Sequence, residues 1–217
     1  MHILKNLFIV VFLSFLFSIK GEAQTTEQSD FSGLKKCTVF SAGDDNVNSY
    51  RIPSLLTTKD GTLLVFCEAR RDSWRDKSRT DIVVKRSEDT GKTWSVMQDL
   101  TQGITGAYMD PTPILDSITG RIFLFTTFWP SEDHSGTKNR AIITSDDNGK
   151  TWSSPVDVTS TIIPAGYHIV GFGPGAGLQM SGKQFKERLV LPTRVVDSER
   201  KSAHNVAIYS DNHGRTW

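Results

Sequence analysis

Two arginines carry the first chemical signal. Arg51 opens one alternating apolar run and Arg70 closes the next, one hairpin away. Two guanidiniums brought to one end of a sheet suit an anion, and a carboxylate can be gripped through parallel N–H···O bonds. The charged loop Arg71–Thr80 follows, and Asp72, Asp76 and Asp81 lie in it or at its edge. A carboxylic acid beside an anion-binding pair has the chemistry to give and take back a proton. The same acids, together with Glu68, could instead serve as structural ion-pair partners for the arginines.

The elements that must position these residues are short strands. Ile52–Thr58 and Thr62–Ala69 alternate apolar and polar residues around the tight turn Lys59-Asp60-Gly61. Asp81–Ser87 makes a third strand and leads into Ser-Glu-Asp-Thr-Gly-Lys-Thr-Trp. The pattern recurs over Pro111–Asp116, Arg121–Phe128 and Arg140–Ser145, and again over Val170–Met180, Arg188–Arg194 and His204–Ser210. Each set closes on a similar octet, beginning at Ser87, Ser145 and Ser210. No stretch has helical periodicity, and a four-strand repeat of about sixty residues predicts propeller blades.

The octets read as structural. Asp89 and Asp147 can accept bonds from turn amides, Gly91, Gly149 and Gly214 permit positive φ, and Trp94, Trp152 and Trp217 can start an outer strand and pack between sheets. The third octet carries Asn212, which keeps an acceptor and loses the charge. Following strand direction through each unit puts Arg51, Arg70 and the Arg71–Thr80 loop on one rim, with Trp129 and Arg194 ending second strands there. The link Tyr108-Met109-Asp110 and the segment His168–Gly175 fall on the same rim, and the octets on the opposite one. Leu34–Ser41 is expected as a lone strand and Gly43–Ser49 as a polar turn.

The 217 residues carry a net charge of +1, which argues against nucleic acid or an anionic membrane surface as partner. Residues 1–23 read as a cleavable signal peptide. His2 and Lys5 precede an apolar run, Leu7–Ile19, too short to span a bilayer, and Gly21-Glu22-Ala23 supplies a cleavage site. Residues 24–217, starting at Gln24, would then be secreted or periplasmic with no membrane span. Cys37 and Cys67 could pair in an oxidising compartment, or Cys67 could be a free buried thiol. No His/Cys cluster has ligand spacing, so neither a metal nor a cofactor is expected.

Tyr50-Arg51-Ile52-Pro53 resembles the Arg-Ile-Pro motif of sialidases (neuraminidases), and Glu68-Ala69-Arg70 resembles their second-strand ending. The octets match the family's Asp-boxes in place and order, and Met109-Asp110-Pro111 and Gly173-Pro174-Gly175 resemble segments opening its second and third blades. The resemblance implies an all-β, six-bladed β-propeller, of which this chain holds the first three four-stranded blades. It implies an exo-alpha-sialidase, releasing terminal sialic acids from glycoproteins, glycolipids or oligosaccharides with retention. Arg51 would be the first of three arginines on the sugar carboxylate, and Arg70 would lie near the 4-hydroxyl. Asp76 would be the acid/base, with Asp72 as the alternative and Asp81 structural. Met109 and Trp129 would line the N-acetyl pocket or simply pack blades, and Asp110 would bond polar groups of the substrate.

A sugar that carries a carboxylate at its anomeric carbon repels an ionised Asp or Glu nucleophile, and a Tyr activated by a Glu avoids this. By the resemblance, that Tyr, its Glu and two further arginines would lie beyond Trp217, since Tyr50, Tyr108, Tyr167 and Tyr209 do not match the nucleophile's context. The chain is accordingly expected to be the first part of a longer protein, inactive and aggregation-prone alone. Other readings of the residues are a non-hydrolytic sialic-acid or carbohydrate-binding propeller and a structural Asp-box protein.

Overall fold

A computed structural model describes residues 36–103, 106–131, 139–173 and 175–217. The signal peptide expected over residues 1–23 and the mature start at Gln24 lie outside the described residues. Residues 37–217 form one compact unit. Among the described residues, no helix is long and apolar enough to cross a membrane.

The described chain is all-β apart from a 3₁₀ turn at Asp44–Asn46 and a single helical turn at Thr159–Ile162. The first antiparallel unit is β1 (Ser49–Thr57), β2 (Leu63–Arg70), β3 (Thr80–Ser87) and β4 (Gln98–Asp99). The second is β5 (Ala107–Leu115), β6 (Ile122–Trp129), β7 (Asn139–Ser145) and β8 (Val156–Asp157). One parallel bridge, Thr80 to Ala107, joins the two into an eight-stranded sheet. The third unit is a separate sheet of β9 (Tyr167–Phe172), β10 (Leu178–Gln179), β11 (Leu189–Asp197) and β12 (Ala203–Ser210).

Side-chain alternation explains how the units pack. Along β2, Leu64 and Phe66 join Tyr108, Ile122, Leu124 and Ile143 of the second unit. Further along the strand, at odd-numbered positions, Cys67 and Ala69 join Val47 and Val83 on the opposite face. Along β6, Ile122 and Leu124 face the first unit, and Phe123 and Phe125 pack with Phe172, Leu189 and Leu191 of the third. Period-two sequence is thus converted into strands buried on both faces.

The structure corrects several sequence expectations. The innermost strand expected as Val170–Met180 is broken into β9 and β10, because the glycine-rich stretch between leaves the ladder. Gly173 has φ 32° and Gly175 φ 131°, Ser54 Oγ donates to the Gly175 carbonyl at 2.7 Å, and the Gly177 amide donates to Pro113 O at 2.8 Å. Tyr108, Met109 and Asp110 belong to β5 rather than to a link, since pairing begins at Ala107 opposite Trp129. β11 runs on to Asp197, so Arg194 lies within the ladder opposite Gly171 and does not end the strand. Residues 36–41 are not a strand. Their backbone finds no strand partner among the described residues, and Phe40 instead packs on Tyr50, ring centroids 4.8 Å apart. Outer strands β4 and β8 begin four residues after Trp94 and Trp152 rather than at them.

The octets are turns closed by one carboxylate or amide. Asp89 accepts from the Lys92 amide (3.0 Å), the Thr93 amide (2.9 Å), Thr93 Oγ1 (2.6 Å) and Ser87 Oγ (2.8 Å). Asp147 repeats the pattern with Lys150, Thr151 and Ser145. Asn212 Oδ1 accepts from the Thr216 amide (3.0 Å) and Ser210 Oγ (2.9 Å), and its Nδ2 donates to Thr216 Oγ1 (2.8 Å). Two successive residues are left-handed in each turn, for example Asn148 (φ 58°) and Gly149 (φ 75°).

Each later octet also grips the unit before it. Asn148 Nδ2 donates to Asp60 in the first hairpin of unit one at 2.7 Å, and His213 Nδ1 pairs with Asp116 of unit two at 3.0 Å. Trp152 meets Phe66 edge-on at 5.6 Å, and Trp217 meets Phe123 and Phe125 at 5.8 and 4.9 Å. The glycines allow this approach, since a Cβ on Gly149 would fall 2.9 Å from Leu64 and one on Gly214 2.2 Å from Phe123.

Gly149→Ala is therefore expected to cost about 2–4 kcal/mol in a denaturant titration, from backbone strain plus overpacking. Gly120→Ala, also left-handed but with nothing within 4 Å of a Cβ, is expected to cost only about 1 kcal/mol. A pH effect follows from the octets as well. Burial alone would raise the Asp147 carboxyl, but bonds from Thr151, Ser145 and the Lys150 amide outweigh it and pull it down to about 2. An acid depressed on folding stabilises above its unfolded pKa of about 4, and that contribution is lost as pH falls towards the folded value. The melting-temperature gap between wild type and Asp147→Asn should be full at pH 6 and shrink steadily between pH 4 and 2.

Candidate active site

Strand register gathers the chemistry-bearing residues at one end of the joined sheet. Ser49 lies opposite Arg70, Arg51 opposite Glu68, Ala107 opposite Trp129 and Met109 opposite Thr127. The octet turns close the opposite ends of the third strands. At the gathered end, β1 and β5 both break register, between Arg51 and Ser54 and between Met109 and Thr112. In both breaks the residue before proline is left-handed, Ile52 at φ 52° and Asp110 at φ 57°. A β-branched residue there is a true outlier, so the surrounding contacts must enforce it.

Arg51 and Arg70 converge on one atom. Arg51 Nη1 lies 3.1 Å from Asp76 Oδ1, and Arg70 Nη1 lies 2.7 Å from the same oxygen. The three differ in burial, with side-chain exposures of 43% for Arg51, 1% for Arg70 and 68% for Asp76. Arg70 Nη1 also donates to the Trp74 carbonyl at 2.7 Å, which bends the loop so that Asp76 comes back over the arginines. The loop is closed at its base by the Arg71 amide on Arg79 O, at 2.9 Å. Asp72 is exposed and makes no ion pair with either arginine among the described residues. Asp81 is an anchor below the loop. It takes Arg71 Nε at 2.7 Å and Thr101 Oγ1 at 3.2 Å. Arg71 also bonds Asp99, whose carboxyl is pushed up to about 6 by burial and by Asp81, against the pull of Arg71.

Glu68 supports the cluster from beneath. It is fully buried, and its Oε2 accepts from Arg70 Nε at 3.0 Å and Nη2 at 2.7 Å. Its Oε1 accepts from the Asp110 amide at 3.0 Å. Burial pushes this carboxyl above its usual range, while the Asp110 amide and Arg70 pull the other way. Asp110 is half-buried, and a Cβ on Gly171 would fall 3.2 Å from its Oδ2, so a glycine there leaves room for the carboxylate. Met109 is buried and Trp129 half-buried.

Two residues that sequence reasoning did not select belong to this end of the molecule. Arg140, at the start of the apolar run Ala141–Ile143, is fully buried, with its guanidinium 5.8 Å from the Phe172 ring centre. Burial pulls it down to about 10, against Asp110 and Asp157. A charge opening an otherwise apolar strand was the available signal. Trp74 is 66% exposed two residues from Asp76, and no pattern marked it.

Among the described residues, no group of three His, Cys, Asp or Glu side chains could hold a metal ion. Both thiols are free. Cys37 is exposed, and Cys67 is buried, with its pKa raised to about 12 by desolvation and by Glu68.

Meandering four-stranded units, closed by octet turns of which the later ones grip the preceding unit, define an all-β repeat protein. The chain belongs to the BNR repeat-like domain family, which matches residues 52–217. Its relatives over most of its length are sialidases. It is 32% identical over 199 residues to a sialidase of Bacteroides fragilis, covering 81% of this chain and 36% of that protein. It is 31% identical over 204 residues to a sialidase of Paraclostridium sordellii, covering 84% and 49% respectively. Among solved structures, a Hadza microbial sialidase superposes with a TM-score of 0.71 at 30% identity, over 81% of this chain and 38% of that one. A leech intramolecular trans-sialidase complexed with 2,7-anhydro-Neu5Ac shares the fold with a TM-score of 0.72 at 22% identity, over 86% and 46%. The chain thus spans between a third and a half of the length of these relatives.

The two arginines should separate in a stability measurement. Arg70→Ala leaves Glu68 buried and short of its partner, and is expected to cost about 3–5 kcal/mol. Arg51→Ala breaks only an exposed pair, and is expected to cost less than about 1 kcal/mol in the same denaturation experiment.

Proposed function

We propose that the full-length product of this gene is an exo-alpha-sialidase that hydrolyses terminal sialic acids from glycans with retention. One observation carries the reading: Arg51 and Arg70 converge on Asp76 at the end of two strands. A pair of cations and a proton-transfer group within one hydrogen-bond shell match a substrate that joins a carboxylate to a glycosidic oxygen. Arg51, the more exposed arginine, takes the sugar carboxylate. The incoming anion competes with Asp76 for Arg51, and Asp76 is then released to hold a proton at the leaving oxygen. After departure of the aglycone, the same residue takes a proton from the attacking water. Arg70 faces the 4-hydroxyl, Asp110 bonds polar substituents, and Met109 and Trp129 border the N-acetyl group.

The covalent step needs groups outside residues 36–217. In this reading a longer chain supplies the tyrosine nucleophile, its glutamate and two further arginines on the remaining blades of a six-bladed propeller. A cleaved signal peptide directs the protein to the periplasm or out of the cell. The sialidase relatives and the rim geometry support the reading together.

The full-length protein should release sialic acid from a fluorogenic sialoside, with the α anomer as first product by NMR. Asp76→Ala should lower kcat/KM on natural sialosides by about 10²–10⁴-fold, and far less on substrates whose acidic phenol needs little protonation. Folded full-length protein without turnover would overturn the hydrolase reading. Asp72→Ala showing that leaving-group pattern, with Asp76→Ala lacking it, would move the acid to Asp72.

A further inference from the structure

The face of β2 that looks toward the second unit carries Leu64, Phe66, Glu68 and Arg70 in turn. The first two are core residues. The last two are charged and yet 0% and 1% exposed. An apolar pair at such positions generally stabilises a fold at least as well as a buried ion pair, so stability alone does not call for these residues. Their geometry does something an apolar pair cannot. Glu68 Oε2 engages the Nε and Nη2 edge of the guanidinium, which turns Nη1 toward Asp76 and the Trp74 carbonyl. Glu68 Oε1 meanwhile accepts the amide of Asp110, a left-handed residue of the next unit.

We propose that Glu68 is a positioning residue, which selects the guanidinium edge that meets Asp76 and fixes the Asp110 bulge of the neighbouring unit in the same act. The proposal rests on the reading of Asp76 as the acid. One buried carboxylate then sets the alignment of Arg70 with the loop and the place of Asp110 relative to both. A carboxyl filled by three donors has no role left as an acid or base of its own, so Glu68 acts through its neighbours.

The test is Glu68→Gln in the full-length protein. The carboxamide offers one acceptor oxygen and places an NH₂ against groups that are themselves donors. The expected result is a folded variant whose kcat on a natural sialoside falls about 10–100-fold, as small misplacements of catalytic groups do. The loss on an aryl sialoside with an acidic phenol should be several-fold smaller, and a crystal structure should show Arg70 Nη1 moved off Asp76. A purely structural residue would lower the melting temperature without changing leaving-group dependence. Unchanged leaving-group dependence with Arg70 still on Asp76 overturns the proposal. If wild type turns over no sialoside, the sialidase reading fails, and the Arg70 position in the variant still decides whether Glu68 aligns it. If Glu68→Gln does not fold, Glu68→Asp keeps the charge and withdraws it by one methylene. The same kinetic pattern then supports the proposal, and wild-type kinetics, or failure of both variants to fold, overturns it.

Discussion

The strands at the centre of this molecule are buried on both faces, and most of its other features follow from that. β6 sends Ile122 and Leu124 one way and Phe123 and Phe125 the other, into two different interfaces. A strand so placed has no solvent-facing side on which to carry polar chemistry. Polar function is confined to the strand ends, and the two ends have been put to different uses. At one, octet turns close each unit and hold the second and third to their predecessors. At the other, register breaks and charged side chains build a site that projects from a rigid sheet.

The confinement explains why the charged residues at the site are so thoroughly paired. Arg70 and Glu68 occupy the last two positions of an apolar row, where an uncompensated charge would be severely destabilising. Among the described residues, they satisfy each other, reach outward through Arg70 Nη1 and inward through the Asp110 amide. Arg51 and Asp76, by contrast, keep substantial exposure. The result is a graded cluster, with a buried pair beneath a more exposed one.

How much of this was legible in the sequence depended on the range of the interaction. The octets were readable because their bonds close within four residues, as Asp89 to Thr93 shows. The retained acceptor in Asn212 behaves as its chemistry predicts. The alternating runs gave the strands of the first two units, since period-two burial is a local property. Arg51 and Arg70 could be placed at one end by counting strand directions. Spacing to Arg70 and to the third strand favoured Asp76 over Asp72, but the contact that turns the loop, from the Arg70 guanidinium to the Trp74 carbonyl, has no signature in the spacing. The link from Glu68 to Asp110 crosses 42 residues and two units, and nothing local announces it. The break between β9 and β10 was missed for a similar reason. Its glycines allow departure from the ladder, and the partner they reach, Ser54, lies 121 residues away.

The measurement that bears most directly on the account is a crystal structure of the full-length protein with sialic acid bound. The sugar carboxylate is expected within hydrogen-bonding distance of the Arg51 guanidinium, and Asp76 on the side of the anomeric carbon where an aglycone would leave. A sugar bound away from this end of the sheet, or one whose carboxylate turns from Arg51, would contradict it.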